Sequence, residues 1–410
     1  MTKQLWRTIT ANALWKGLQL GSLFLLNIAI ARVFRAEGSG DFLFLIANFQ
    51  LAAGVTSLSL ESGIQYYGAA DNTLLGEFSV FIFRYTGLAA SILLGVLVAL
   101  LLCHVLRPSI DPLLFVLYAI GFVFGTLLFR FFSVLAYAVR IFTLPAIAEA
   151  AGNMVLLILL AVYPTRGVFF LCFYMMPLVC ALVIYGYLRR RQAALFTRTP
   201  GKRRVHFPSL FRYSGLSFLS NLVFWGVYRM DYWFVATYCS SRELGNYIQA
   251  SKLAQLFIYL PQVIAMVIFP DVVQGMITGP RVLKLMAYTV GIYALGVALV
   301  VLAGSRGLSW LLGPTFDQVY PAWLRLVPGI FALGPLAILA AYFAGRNRVK
   351  VNLYGGLVAL AVMLLGDILF IPRYHIMGAA LVSSVSYITY MVYEWVAFAS
   401  KAANASPTAS

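Results

Sequence analysis

Charge is scarce in this chain. Only 10% of its 410 residues are Asp, Glu, Lys or Arg, and only 13 are acidic. A soluble domain is about a quarter charged. Too few charges remain to clothe a water-facing surface, and the shortage runs the whole length, which excludes a soluble enzyme of one or several domains. Cysteine and histidine are equally sparse. Cys103, Cys172, Cys180 and Cys239 form no CxxC pair, and all lie in or beside apolar runs. They read as inert membrane thiols rather than a redox or metal centre. His104, His206 and His375 are far apart, without ligand spacing, so no metal site is visible. No cofactor is expected.

What is present is apolar: 62% of the residues, with a mean hydropathy of +0.89. Each membrane-spanning helix needs about 20 apolar residues, so twelve consume roughly 240. The sequence predicts spans at 11–33, 42–67, 79–104, 113–137, 143–163, 168–188, 213–237, 246–270, 283–303, 321–343, 350–371 and 377–399. Breaks fall at turn or charged residues such as Glu37-Gly38-Ser39-Gly40-Asp41 and Gly313-Pro314. In lipid such segments must be helices, because open strand edges find no partners. The first apolar run carries Lys16, Gln19 and Asn27, so it reads as a retained helix rather than a cleaved signal peptide.

Basic residues outnumber acidic ones by 30 to 13, a net charge of +17. If the N-terminus is cytoplasmic, seventeen of them face the cytoplasm and seven face outward. That asymmetry predicts both termini inside. Eight of the seventeen occupy 189–212, which holds no acidic residue and reads as a cytoplasmic linker lying against anionic headgroups. A nucleic-acid partner is not expected.

The linker divides the chain into 1–188 and 213–400, each with six spans, followed by a polar tail at 401–410 expected to be disordered. Ala31 to Phe42 aligns with Ala236 to Tyr247, pairing Ala31 with Ala236, Gly40 with Gly245 and Phe42 with Tyr247 at one offset of 205. The same offset carries Ala136-Tyr137 onto Ala341-Tyr342. An even number of spans per half makes the repeat parallel, with its axis along the membrane normal, an arrangement typical of alternating-access transporters. The expected class is an all-α polytopic membrane protein, with twelve transmembrane helices in two six-helix bundles related by a parallel pseudo-two-fold repeat.

Local motifs strengthen this. The segment Asp231 to Ala250, with an Asp in the helix, a small loop and Gly245-Asn246-Tyr247 starting the next helix, resembles a helix junction of Wzx-type polysaccharide flippases. Ala31 to Phe42 resembles that family's first loop, although Arg35-Ala36 stands where Leu-Gly would be more usual. Ile371 to Ala380 is similar to the join before its last helix, and Ala344-Gly345-Arg346-Asn347 to the turn after its tenth. The resemblance implies the multidrug/oligosaccharidyl-lipid/polysaccharide exporter superfamily and two V-shaped bundles. It also implies a carrier, not an enzyme, that moves an undecaprenyl-pyrophosphate-linked oligosaccharide to the periplasmic leaflet of the inner membrane. Rivals are a multidrug or cation antiporter of the same superfamily, a lipid II flippase, which usually carries further spans, and a membrane glycosyltransferase or polysaccharide polymerase. The last would need a large extramembrane loop.

Ionisable residues inside spans cost about 2.5–3.5 kcal/mol at a helix centre, and those retained face partners or watery cavities. A pyrophosphate headgroup calls for fixed cations, which focus potential in a narrow cleft and hold phosphate oxygens. Arg229, Lys16, Lys252, Arg130 and Arg325 are the candidate anion contacts. Coupling to a proton or sodium gradient needs a carboxylate that changes state, for which Glu61 and Asp231 are the candidates. By depth, Lys16 is expected beside Glu61 and Asp231 beside Lys252, leaving Arg229 free. Gly17-x-x-x-Gly21 and Gly121-x-x-x-Gly125 are expected to allow close helix packing.

Overall fold

The computed structural model describes residues 3–70, 74–104, 110–139, 141, 143–163, 166–193, 207–273, 277, 279–346 and 348–404. Among them lie eleven helices and no strand. They are α1 (Lys3–Ser57), α2 (Leu60–Ala70), α3 (Leu75–Leu102), α4 (Pro112–Ala138), α5 (Thr143–Val162) and α6 (Arg166–Arg191). Then come α7 (Phe207–Tyr238), α8 (Ser241–Val273), α9 (Gly279–Leu312), α10 (Val319–Gly345) and α11 (Val349–Asn404). Most of the basic linker, 194–206, and the tail from 405 lie outside the described residues, while the helix expected to end near 400 continues to Asn404.

Eight of these helices are long and apolar enough to cross a membrane. Two of the eight, Leu14–Ser57 and Val349–Ser400, contain 44 and 52 residues and bend at Arg35 and His375, so each supplies two passes. The remaining two passes are α7 and α8, with 32 and 33 residues. They carry Arg229, Asp231 and Lys252 in their interiors. Twelve spanning segments in two bundles result.

By backbone contacts the chain forms two compact units. The first comprises Met1–Val33 and Asn48–Leu219, the second Phe34–Ala47 and Ser220–Ser410. In the first, α4 is the central helix, packed on α6, α3 and α2. Asp111 caps it, accepting from the N–H groups of Leu113 and Leu114 at 2.9 and 3.1 Å, with Pro112 opening the helix. Gly125 lets α6 approach closely, since a methyl there would stand 2.5 Å from the Leu178 nitrogen. Gly17 and Gly21 face open space, so among the described residues they form no packing seam of the kind expected. In the second unit α10 is central, packed on α11, α8 and α9, with Trp323 and Leu326 buried along it. The helices α4 and α10 both have 27 residues and hold corresponding places in the two halves.

The stretch 34–47 carries the clearest trace of the repeat. A methyl on Gly40 would lie 2.3 Å from the Ser241 carbonyl oxygen, and one on Gly245 would lie 1.9 Å from that of Ala36. The offset of 205 that pairs Gly40 with Gly245 also pairs Ala36 with Ser241. The two contacts are therefore reciprocal, as a local two-fold relation requires. Arg35 turns the chain into this contact at φ 58°, a conformation that favours glycine, in the dipeptide where the Wzx resemblance led one to expect Leu-Gly.

Candidate functional site

Each unit buries one polar cluster. The first begins with an irregularity in the second span. Ser57 Oγ bonds the Gly54 carbonyl and the Ser59 N–H, and Leu58 and Ser59 both adopt positive φ, 48° and 51°. Two consecutive left-handed non-glycine residues cost about 1–2 kcal/mol each. They end α1 and start α2 afresh, placing Glu61 in a new first turn, where unpaired N–H groups favour a carboxylate. The freed Thr56 carbonyl accepts the Tyr85 hydroxyl.

Glu61 opens on a cavity of about 250 Å³ lined by Lys16, Gln19, Arg130, Tyr137 and Glu149. Its charge partner is Arg130, 4.0 Å away, rather than the expected Lys16. Lys16 lies on the same cavity within electrostatic reach of Glu149, which also accepts a hydrogen bond from Gln19. One Glu61 oxygen, Oε2, is buried without a hydrogen-bond partner. The cavity therefore holds two cations and two carboxylates, Glu149 lying with Glu61.

The second cluster lies among α7, α8 and α11. Asp231 is almost wholly buried. Its Oδ1 accepts from the Tyr232 N–H at 2.9 Å, and its Oδ2 accepts from the Tyr247 hydroxyl and from Ser383 Oγ at 3.1 Å. Tyr247 and Ser383 share a 3.0 Å bond, closing the group. These neutral donors, not the expected Lys252, hold the carboxylate. Lys252 is half-buried and within electrostatic reach of Arg229. Arg229 is not free, as the depth argument had it. Its Nη2 donates to Gln255 Oε1 at 2.8 Å, its Nη1 to the Tyr232 hydroxyl, and the guanidinium stands 4.9 Å from the centre of the Tyr232 ring.

Two further intramembrane acids, whose faces the sequence cannot place, lie on the last helix of this unit. Asp367 and Glu394 on α11 are fully buried, and none of their four carboxyl oxygens has a hydrogen-bond partner. Asp367 is near enough to Asp231 to feel its charge. Isolated carboxylates of this kind are expensive in apolar surroundings unless protonated or joined by a cation. Their only sequence signal was their depth within a span. Arg325 stands apart: it is exposed on α10 and its Nη1 bonds the Pro321 carbonyl one turn back at 2.9 Å.

Comparison with known proteins agrees with this architecture. The family model described as "Polysaccharide biosynthesis protein" matches residues 140–275. No curated protein matches the sequence. Among solved structures, the fold is similar to lipid II flippase MurJ in an inward closed conformation, with a TM-score of 0.71 at 13% identity over 95% of this chain and 87% of that one. It is similar to an inward-facing multidrug resistance MATE family transporter of the MOP superfamily, with a TM-score of 0.71 at 14% identity over 96% and 100%. A MOP superfamily transporter from Pyrococcus furiosus, described as having a binding pocket of reverse polarity, gives 0.66 at 15% identity over 97% and 95%. The family match and the shared fold support the resemblance seen in the sequence, the solved structures showing the fold.

Proposed function

We propose that this flippase-fold chain carries a lipid-linked oligosaccharide, through its anionic pyrophosphate headgroup, from the cytoplasmic to the periplasmic leaflet of the inner membrane for surface polysaccharide synthesis. Its termini face the cytoplasm and it works by alternating access, without catalytic chemistry. The observation that carries this reading is the setting of Arg229. It is half-buried in a span and held by the neutral Gln255 and Tyr232, so its guanidinium is aimed without being cancelled by a directly bound carboxylate. Oriented guanidinium groups are suited to phosphate oxygens. Lys252 beside it, and Lys16 and Arg130 on the cavity of the first unit, extend the same chemistry. Arg325, exposed on α10, would serve only at the edge of the path.

Asp231 with Asp367, and Glu61 with Glu149, are the groups whose charge would change on taking up H⁺ or Na⁺. A drug or cation antiporter of the same superfamily would use these acids for its load instead, and the unpartnered Asp367 is the observation in its favour. One experiment separates the two. In cells carrying Arg229→Ala, lipid-linked oligosaccharide should accumulate in the inner leaflet at normal protein levels, and Arg229→Lys should restore part of the flux. Unchanged surface polysaccharide in Arg229→Ala would remove Arg229 from the substrate path. Loss of cation-drug resistance alone would favour the antiporter.

A further inference from the structure

The histidine and cysteine that looked isolated in the sequence meet at one end of the second unit. Cys239 sits in the turn after α7, Glu243 in the first turn of α8, and His375 at the bend of α11, 136 residues beyond Cys239. Their ligand atoms, one sulfur, one carboxylate oxygen and one imidazole nitrogen, all lie within 4.8 Å of one another. His375 Nδ1 and Glu243 Oε1 are 3.2 Å apart.

The local backbone is arranged for this meeting. Ser240 caps α8 and exchanges hydrogen bonds with Glu243: its N–H and hydroxyl meet Glu243 Oε2 at 3.1 and 3.0 Å, and its Oγ accepts from the Glu243 N–H. This capping box fixes the carboxyl and leaves Oε1 for His375. Cys239 is held by its own N–H on the Val235 carbonyl at 2.9 Å. The start of α8 is fastened in turn by Arg242 to Asp317 at 3.1 Å and by Asn246 to the Thr315 carbonyl at 3.2 Å. His375 reaches the group through a left-handed backbone, φ 52° and ψ −140°. A non-glycine residue in such a conformation costs about 1–3 kcal/mol, and such strain gathers at ligand clamps and switches.

We propose that Cys239, Glu243 and His375 form a three-ligand site for a borderline-soft divalent transition ion of the Zn²⁺ class. Thiolate and imidazole select such ions over Mg²⁺ or Ca²⁺, and three protein ligands leave one position for water. At ordinary zinc–ligand lengths the donors of a tetrahedral site stand about 3.3–3.8 Å apart. No pair of donors therefore closes by more than about 1.5 Å. Binding exchanges the Cys239 sulfur's proton for the metal, and the proton leaves to solvent. The neutral His375 ring then carries its proton on Nε2 instead of Nδ1, so that Nδ1 and the Glu243 carboxylate it faced both bond the ion.

The placement also gives the ion a mechanical effect. Cys239 lies eight residues after Asp231, and Ser383 eight residues after His375. At 1.5 Å per helical residue, each is about 12 Å along its helix from the metal. A bound ion ties the end of α7 to the bend of α11, and so holds the two helices that join through the Asp231–Ser383 hydrogen bond.

The test uses the full chain purified in detergent, titrated with Zn²⁺ by calorimetry and with Co²⁺ by optical absorption. One Zn²⁺ per chain should bind, and Co²⁺ should give tetrahedral visible bands with a near-ultraviolet thiolate-to-metal band. Cys239→Ser should abolish the thiolate band, and Glu243→Gln and His375→Gly should each weaken binding by at least about tenfold. Glycine suits the left-handed backbone, so His375→Gly should melt no lower than wild type without metal, which separates loss of a ligand from loss of the fold. Failure of Zn²⁺ to bind below about 100 µM, a Co²⁺ spectrum without the thiolate band, or equal affinity in the three variants would each overturn the site.

Discussion

Substituting Gly245 by Ala tests the contact between the 34–47 stretch and α8. The added methyl would stand 1.9 Å from the Ala36 carbonyl oxygen, while ordinary contact begins at 3.4 Å. The deficit is 3.4 − 1.9 = 1.5 Å. The obstacle is backbone, so no side chain can swing aside. The facing residue is no more forgiving, because Gly40 already approaches the Gly245 nitrogen closely enough that its own methyl would lie at 2.7 Å. Overpacking of this kind costs about 1–3 kcal/mol. At 1.4 kcal/mol per factor of ten, detachment of residues 34–47 should rise by about five- to 150-fold. Amide hydrogen exchange in micelles reads this directly. Amides of 34–47 and 241–250 should exchange faster by that factor in Gly245→Ala and in Gly40→Ala. Gly215→Ala, with nothing within 4 Å of its new methyl, should leave them unchanged. Exchange in Gly245→Ala within twofold of wild type, or an equal response in Gly215→Ala, would show that this contact does not bear on the packing.

Asp231→Ala should lower the melting temperature well below that of Asp231→Asn, since hydrogen bonds to a charged acceptor contribute about 1.5–3 kcal/mol each and the amide keeps an acceptor for Tyr247 and Ser383. Equal melting of the two variants would contradict that network. Gly125→Leu should disrupt the α4–α6 seam and cut the yield of folded protein, whereas Gly21→Ala should be silent; thermal melts of both decide it. Burial and the nearby Glu243 carboxylate push the Cys239 thiol up to about 12, above the ordinary range near 8.5. Without added metal, iodoacetamide labelling of Cys239 should therefore be slow at pH 7.5 and still climbing at pH 10. Glu243→Gln should speed it only in part, because burial is the larger cause, and a rate that levels off by pH 9 would refute the shift.

Much of the architecture was legible because it depends on sums along the chain. Span number follows from apolar run length, and the repeat from one offset that recurs at Gly40/Gly245 and Ala136/Ala341. The candidate site was legible only as a set of residues. Depth along a helix put Lys16 beside Glu61, and Arg229, Asp231 and Lys252 in one half of the second bundle; the structure adds Arg130 and Glu149 to the first group. Depth paired them wrongly, because pairing depends on helix rotation. Leu58 and Ser59 interrupt the second span and re-aim Glu61 toward Arg130; the nearby Thr56, Ser57, Ser62 and Gly63 hint at a break but not at its direction. Arg229 and Asp231 found polar but neutral partners, Gln255, Tyr232, Tyr247 and Ser383, which depth and charge alone could not reveal.

The amino-acid sequence by itself determined that the chain is a helical membrane protein with twelve passes and a basic middle. Hydropathy and charge act residue by residue there, with lipid and water as the partners. Only the tertiary structure decided that Asp367 and Glu394 are buried without partners, and that Cys239, Glu243 and His375 converge. Those outcomes depend on which faces of distant helices turn toward each other, and on bends such as Arg35 and His375 where the backbone leaves helical geometry. A one-dimensional pattern carries the length of a helix but not its rotation against a neighbour, and the chemistry of this protein depends on that rotation.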